Sequence, residues 1–262
     1  MSVVLLDDGI VHYEVLGRGR PVIFLHGWVG SWRYWISSMQ VTSTSFRAYA
    51  LDLWGFGDTA HKKERYSVKK QTELVRLFLD EMGIGKIALV GHGLGALVAL
   101  DFASTHKEIV DRIMLTNCSL DMEKINPKLF SDSPEKLASW LSNGFSTTET
   151  ALADAKKTDK DAIQASRNIS EVPQLFNTVN RQHTPCLLVS GARDELIGQP
   201  SLNQLSVLSE LSHHILLEEA GYFPMLDTAT TFNRLLTDFL ALDSGLGVKQ
   251  LNLKEEWRRR VR

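Results

Sequence analysis

The chain has 262 residues, 44% of them hydrophobic, and its 29 basic and 31 acidic side chains nearly cancel. This length and composition are typical of one globular domain, or of a core with a small insertion. The near-neutral balance gives no argument for a nucleic-acid or membrane-surface partner. No apolar run is long enough to cross a membrane and no signal peptide is evident, so we predict a cytoplasmic protein without a transmembrane segment.

Apolar runs alternate with helical patterns along the first 120 residues. The predicted strands here are 3–6, 11–15, 21–25, 46–51, 87–90 and 112–116, and the predicted helices are 31–39, 67–82 and 94–106. Wholly apolar runs such as Pro21 to Leu25 are typical of strands buried on both faces. The alternation predicts an α/β fold in which helices cover both faces of a mostly parallel sheet.

The stretch 121–180 interrupts this alternation. It is polar, with helix-start signals at Ser133-Pro134-Glu135 and at Ser146 to Glu149, and its charged run 156–161 is expected to be a solvated face. We predict a small helical lid insertion here. Strands then resume at 186–190 and 214–217, and a closing helix follows at about 228–241. The predicted core therefore comprises residues 1–120 and 181–242.

The last segment, 243–262, has a different composition. Ser244 to Gly247 is typical of a linker, and Lys249 to Arg262 carries six basic and two acidic residues. Leu253, Trp257 and Val261 recur four apart, so a helix here would have one apolar face. We leave three interpretations open: a helix docked on the protein's own surface, a frayed terminus, or a docking segment for a protein or an anionic surface.

No residue pattern predicts a metal or a cofactor. Cys118 and Cys186 lie far apart and are expected to be buried thiols rather than a disulfide or a metal site. The pair His213-His214 has no matching carboxylate or cysteine cluster, so we interpret it as part of a strand. We therefore expect no cofactor and no metal ligand.

One glycine stands at the centre of a strand–turn–helix pattern. Gly91-His92-Gly93-Leu94-Gly95 follows an apolar strand and precedes a small-residue helix start. This pattern matches the G-x-S-x-G nucleophile elbow, whose outer glycines permit a tight turn. Gly93 occupies the serine position, and a glycine has no side-chain atom that can attack a carbonyl.

Five motifs in one order resemble the α/β-hydrolase family, in its esterase, epoxide hydrolase and dehalogenase branches. The resemblance extends to about residue 242. The motifs are His26-Gly27-Trp28, the D-x-x-G-x-G stretch from Asp52, the elbow from Gly91 to Gly95, the segment Ser190 to Asp194, and the segment Gly221 to Leu226.

The resemblance implies the α/β-hydrolase fold and a set of site positions. The nucleophile, acid and histidine of the catalytic triad fall on Gly93, Asp194 and Tyr222. The oxyanion hole falls on the backbone amides of Trp28 and Leu94, which need no side chain. A tyrosine has an ordinary pKa near 10 and is a poor base at neutral pH. We therefore interpret the triad as degenerate.

Two functional hypotheses follow. The first is a non-catalytic protein whose apolar pocket binds a small apolar or carbonyl-bearing ligand, or which binds a protein partner through 249–262. The predicted pocket residues are His26, Gly27, Trp54, His92 and Phe223, on loops at the carboxyl ends of strands. The second is an active hydrolase of a small ester, epoxide or carbonyl compound with an unusual residue set, in which Cys118, Ser119 or a lid residue would point into the space above Gly93 and bond to a histidine.

Asp194, the acid position without a histidine partner, leads to one further expectation. A carboxylate at the edge of a pocket needs hydrogen-bond donors or water. We expect Asp194 to face Tyr222, through a hydroxyl contact or one bridging water.

Overall fold

The computed structural model describes residues 2–142, 148–167, 172–243 and 248. In them, eight strands form one sheet in the order β1-β2-β4-β3-β5-β6-β7-β8. The strands are β1 (Ser2–Leu6), β2 (Gly9–Gly17), β3 (Arg20–Leu25), β4 (Phe46–Leu51), β5 (Ile87–His92), β6 (Val110–Thr116), β7 (Cys186–Gly191) and β8 (Ser212–Leu217). The β1–β2 and β2–β4 pairs are antiparallel and the other pairs are parallel, which confirms the predicted mostly parallel sheet.

Eleven α-helices connect or flank these strands within the described residues. They are α1 (Ile36–Thr42), α2 (Val68–Glu81), α3 (Leu94–Thr105), α4 (Lys128–Ser131), α5 (Pro134–Leu141), α6 (Thr148–Ala155), α7 (Lys160–Ala165), α8 (Val172–Arg181), α9 (Leu202–Ser206), α10 (Pro224–Asp227) and α11 (Ala229–Leu240). Helices α4 to α8, which we call the inserted helices, all fall between β6 and β7. No helix of the described ranges is both long enough and apolar enough to span a bilayer.

Three local expectations need correction or lie outside the described residues. The predicted helix 31–39 begins instead with a 3-10 turn, Trp32–Trp35, because the Ser31 side chain accepts from the Arg33 amide and closes a tight first turn. The short helices α9 and α10 were not predicted. The predicted tail helix, 249–262, lies outside the described residues.

The parallel strands place six loops at one edge of the sheet. The loops after β3, β4, β5, β6, β7 and β8 all follow carboxyl ends of parallel strands, where open α/β sheets bind ligands. All five predicted motif segments lie at this edge, at the ends of β3, β4, β5, β7 and β8 or in the loops that follow them.

Candidate active site

The elbow is built as the sequence predicts. Gly93 joins β5 to α3 with φ of 51° and ψ of −112°, a conformation that strains any other residue. Its amide donates to the Thr116 carbonyl at 3.0 Å, and the Gly95 amide donates to the His26 carbonyl at 2.9 Å. A Cβ atom on Gly91 would collide with the backbone of Gly95, and one on Gly95 with the backbone of Leu25, which explains why both outer positions are glycine.

Tyr222 fills the space above Gly93. A Cβ atom on Gly93 would lie 2.7 Å from the Tyr222 hydroxyl and 3.1 Å from the Trp28 ring. A Cβ atom on Gly27 would also lie 2.7 Å from that hydroxyl. The phenol oxygen therefore lies between the elbow and the loop after β3, and Tyr222 is only 1% exposed. A serine at position 93 would collide with it.

The Tyr222 hydroxyl meets the predicted oxyanion hole. Burial raises the pKa of Tyr222 well above 10; the charge of Asp194 adds to this rise, and a contact with the backbone amide of Trp28 opposes it. Within the described chain the hydroxyl has no partner of full hydrogen-bond geometry. Leu94, the other predicted donor, begins α3, so its amide has no partner inside that helix.

Trp28 connects this site to the inserted helices. Its indole Nε1 donates to the Ser166 hydroxyl at 2.7 Å, just after α7. The ring is fully buried beside Gly93. The loop after β3 and the end of α7 are thus held together over the elbow.

His92 is locked in one tautomer. Its Nε2 lies 2.7 Å from the Tyr222 carbonyl, and its Nδ1 lies 3.0 Å from the Tyr34 hydroxyl. Because a carbonyl only accepts, we assign the proton to Nε2, and Nδ1 then accepts from Tyr34. Burial lowers the pKa of His92 to about 3, so the ring is neutral. Both nitrogens are occupied, and His92 is not an available base.

His26 is engaged in the same way. Its Nε2 accepts from the Leu53 amide at 2.9 Å, and its Nδ1 donates to the Gly27 carbonyl at 2.9 Å. Burial lowers its pKa below 6.5. This histidine fixes the loop after β3 against the loop after β4.

Asp194 is a buried acid without a histidine. One carboxylate oxygen accepts from the amides of Leu196 and Ile197, at 2.8 and 3.3 Å. The other oxygen has no hydrogen-bond partner in the described chain, and burial raises the pKa of Asp194 to about 7. A direct bond to the Tyr222 hydroxyl, one of the two contacts expected, is not formed. The two groups interact through charge.

Asn117 and Tyr34 were missed by the sequence analysis. Asn117 follows β6 with a positive φ of 43°, which asparagine tolerates better than most residues. Its side chain donates to the Gly221 and Tyr222 carbonyls, at 3.1 and 3.0 Å, and accepts from the Gly191 amide at 2.9 Å. It therefore positions the Tyr222 loop; an asparagine directly after a strand was the available signal.

Two of the predicted pocket residues have different surroundings. Phe223 lies with its ring centroid 4.7 Å from that of Tyr222 and packs against His92. Trp54, by contrast, lies under the β1–β2 turn: a Cβ atom on Gly9 would come within 2.5 Å of its ring, and the Arg65 guanidinium stacks over it at 5.0 Å. The predicted pocket position of Trp54 is therefore corrected.

The alternative nucleophiles are engaged elsewhere. The Ser119 hydroxyl donates to the Asp121 carbonyl at 2.7 Å, and the Cys118 thiol points to the Ser119 carbonyl at 3.9 Å. Burial raises the pKa of Cys118 to about 12. Cys118 and Cys186 are both buried free thiols, as expected.

One side-chain group has the spacing of a metal site. Ligand atoms of His12, Asp52 and Asp58 lie within 4.8 Å of one another. However, Asp52 already accepts from the Trp32 and Asp58 amides, and Asp58 forms ion pairs with Arg33 and Lys157. Because these oxygens are taken by N–H groups and cations, we assign no metal there.

The family follows from comparison with known proteins. A sequence model described as the alpha/beta hydrolase fold matches residues 20–259. The chain belongs to the alpha/beta hydrolase family. The motif order and the sheet agree with this membership.

Several members of the family share the fold or part of the sequence. The chain is 23% identical to a 2-hydroxy-6-oxo-6-(2'-aminophenyl)hexa-2,4-dienoic acid hydrolase of Metapseudomonas resinovorans, over 87% of each chain. It is 30% identical to a soluble epoxide hydrolase of Corynebacterium over 105 residues, which span 40% of this chain and only 37% of that enzyme. The crystal structure of an enol-lactonase from Burkholderia xenovorans is similar with a TM-score of 0.76 and 17% identity, covering 92% of this chain and all of that one.

Proposed function

We propose that this α/β-hydrolase-family protein acts by binding and does not catalyse acyl transfer. The observation that carries this proposal is the position of the Tyr222 hydroxyl, 2.7 Å from where a Cβ atom on Gly93 would lie. The place that a serine nucleophile needs is taken by another residue of the same chain. The two departures from the family pattern, at 93 and 222, are therefore one linked change.

The remaining groups do not replace the missing roles. Acyl transfer needs a nucleophile and a base within hydrogen-bond reach of each other. His92 and His26 are neutral, with both ring nitrogens engaged. The pKa of Tyr222 is far above neutrality, so it does not accept a proton from a nucleophile.

A ligand would meet a modified oxyanion hole. The Trp28 amide already contacts the Tyr222 hydroxyl. A carbonyl-bearing ligand must therefore displace that hydroxyl before it accepts from Trp28. We propose a small apolar or carbonyl-bearing molecule, or a protein, as the bound partner. Cytoplasmic location and the lid role of the inserted helices belong to the same proposal.

The alternative, an active hydrolase, is favoured by the enzyme names of the relatives. Hydrolysis of 4-nitrophenyl butyrate and of styrene oxide distinguishes the two. The proposal predicts that the wild type and Asp194→Asn give the same rate, indistinguishable from an inert control protein. In a working triad, loss of the acid lowers kcat by about 10⁴-fold. Saturable wild-type turnover that falls in Asp194→Asn or in Tyr222→Phe would contradict the proposal.

A further inference from the structure

A second cleft lies at the opposite edge of the sheet from Gly93. It is formed where β3, β4, β5 and β6 begin, and its volume is about 100 Å³. From Arg20 to His26 along β3, six residues at about 3.3 Å each separate the two edges by about 20 Å. The cleft is therefore distinct from the candidate active site.

The charged residues of this cleft are mostly cations. Arg20, Lys86 and Arg112 line it together with one acid, Asp111. Asp111 is shared, since it lies 2.7 Å from the Arg112 Nε and 3.4 Å from the Lys86 ammonium. Two positive charges remain in excess.

Arg112 is an uncommon residue to find in this place. It is 1% exposed, its Nη1 donates to the Phe239 carbonyl at 2.8 Å, and its Nη2 has no hydrogen-bond partner in the described chain. A buried guanidinium group with an unused donor is costly, and an anion bound nearby lowers that cost through its charge. Arg20 is exposed; it stacks over the Phe46 ring at 5.2 Å, and its Nη2 donates to the Leu240 carbonyl at 3.5 Å.

The rest of the wall is apolar. Phe46, Pro21, Ala88 and Leu240 complete the cleft. A cleft of this volume admits an organic anion of about five non-hydrogen atoms. Arginine forks match a planar carboxylate in two-point hydrogen bonds.

We propose that this cleft is a binding site for a small aliphatic carboxylate of about the size of propionate. The carboxylate group pairs with the exposed side chains of Arg20 and Lys86 beside the buried guanidinium group of Arg112, and its hydrocarbon part packs on Phe46 and Leu240. The site binds without chemistry and is independent of the function proposed for the Gly93 region.

Calorimetric titration of the full chain with sodium propionate, at constant ionic strength, tests the proposal. The wild type is expected to show saturable binding, and the double variant Arg20→Gln/Lys86→Gln to bind at least about tenfold more weakly. Lys70→Gln, which removes an exposed lysine of α2, is the matched control and should bind as the wild type does. Propionamide, which has the same shape without the charge, should not bind.

Three results would overturn the proposal. They are the absence of saturable propionate binding to the wild type, equal binding by the double variant, and equal binding of propionamide. Inorganic phosphate that binds where propionate does not would also overturn it, by showing a site for tetrahedral oxyanions. Arg112→Lys adds a test of the buried guanidinium group. If that variant does not fold, the Arg20→Gln/Lys86→Gln variant, which changes exposed residues, still tests the proposal.

Discussion

At the scale of single residues, the Tyr222 hydroxyl determines the geometry of the candidate active site. The Tyr222 oxygen lies close to Gly93, Gly27 and the Trp28 amide at once. In a triad the same volume would hold a serine side chain and the oxygen of its substrate. In the proposed function, Gly93 stands where a family member would carry its serine, and the Tyr222 hydroxyl lies in the space that the serine side chain would need.

The contact between positions 93 and 222 predicts energetic coupling. Gly93→Ala should lower the free energy of unfolding by about 3 kcal/mol, because the new methyl group meets the Tyr222 hydroxyl at a positive φ. In a Tyr222→Phe background the collision with the oxygen is gone, and the cost should fall by at least about 1 kcal/mol. Urea unfolding of the four proteins measures both values.

Gly85→Ala is the control for this cycle, since a Cβ atom there meets nothing within 4 Å. It should change stability by less than about 0.5 kcal/mol in either background. An equal cost of Gly93→Ala with and without the hydroxyl would show that Tyr222 does not occupy this space.

The carboxyl group of Asp194, which has one unpaired oxygen, should make the free energy of unfolding depend on pH. Burial raises the pKa of Asp194 to about 7, so ionisation of Asp194 destabilises the folded state. Asp194 therefore does not lower the free energy of unfolding below about pH 4, its unfolded pKa being near 4. The free energy of unfolding then falls as pH rises from about 4 to about 7. Asp194→Asn should raise the free energy of unfolding by about 1–3 kcal/mol at pH 8 and by nothing at pH 4.

Asp58→Asn should behave in the opposite way. Asp58 is partly exposed, and its hydrogen bonds and ion pairs with Lys157 and Arg33 outweigh burial and lower its pKa. Its contribution is present at neutral pH and is lost as pH falls through that lowered pKa. Thermal unfolding at pH 8 should therefore show a higher Tm for Asp194→Asn and a lower Tm for Asp58→Asn. A lower Tm for Asp194→Asn at pH 8 would mean that the carboxylate is paired after all.

At the scale of elements, strands were easier to predict than the helices of the insertion. β4 was predicted at its observed bounds, and β3, β5 and β7 within two residues, because buried parallel strands consist of continuous apolar runs. The start of α5 at Pro134 was also predictable, since its cap, Ser133, is encoded locally. The 3-10 turn and helices α9 and α10 are too short for a periodic signal.

The charged run 156–161 shows what local sequence does not contain. It was expected to be solvated, yet the Lys157 ammonium lies 2.5 Å from Asp58, and Asp159 caps α7 and accepts from the Tyr66 hydroxyl at 2.8 Å. The partners are 93 to 99 residues distant in sequence. Which charged residues of such a run form ion pairs or hydrogen bonds depends on the tertiary structure.

These contacts predict that Asp159 stabilises the inserted helices. Asp159→Ala removes the cap of α7 and leaves the Tyr66 hydroxyl without its acceptor, so the free energy of unfolding should fall by about 1–2 kcal/mol. Glu73→Ala, which removes an exposed carboxylate paired within α2, should cost less than about 0.5 kcal/mol. Chemical denaturation measures the free energy of unfolding of both variants. Similarly small effects would show that the run 156–161 is a solvated face, as first expected.

At the scale of the whole molecule, two sets of buried or partly buried groups have pKa shifts of opposite direction. The raised pKa values of Asp194, about 7, and Asp154, about 6, remove stability as pH rises towards these values. The lowered pKa values of His92, about 3, and His214, about 4, remove stability as pH falls below 6.5, and His26 acts in the same direction. Between about pH 4 and pH 6.5 the acids and the histidines therefore act on stability in opposite directions.

The free energy of unfolding should consequently change little above about pH 7, where both sets have almost finished titrating. Urea unfolding at intervals from pH 5 to pH 8.5 measures this profile. Asp194→Asn removes one of the opposing acids, so its free energy of unfolding should rise more steeply with pH between about pH 5 and pH 7 than that of the wild type. An equal slope in the two proteins over that interval would contradict this balance of charges.

The central claim is that the family's catalytic frame remains but its nucleophile position is closed by Tyr222. Intact-mass measurement of labelling by a fluorophosphonate probe tests it most directly, in the wild type, Gly93→Ser, Tyr222→His and the double variant. The account predicts no label on residue 93 in the wild type or in Tyr222→His, and little in Gly93→Ser, whose serine lacks both a base and space. The double variant should be labelled at position 93 at least about 100-fold faster than the Gly93→Ser protein, because the histidine supplies a base beside the unpaired oxygen of Asp194. Labelling of the wild type in this site, or equal labelling of the single and double serine variants, would contradict the account.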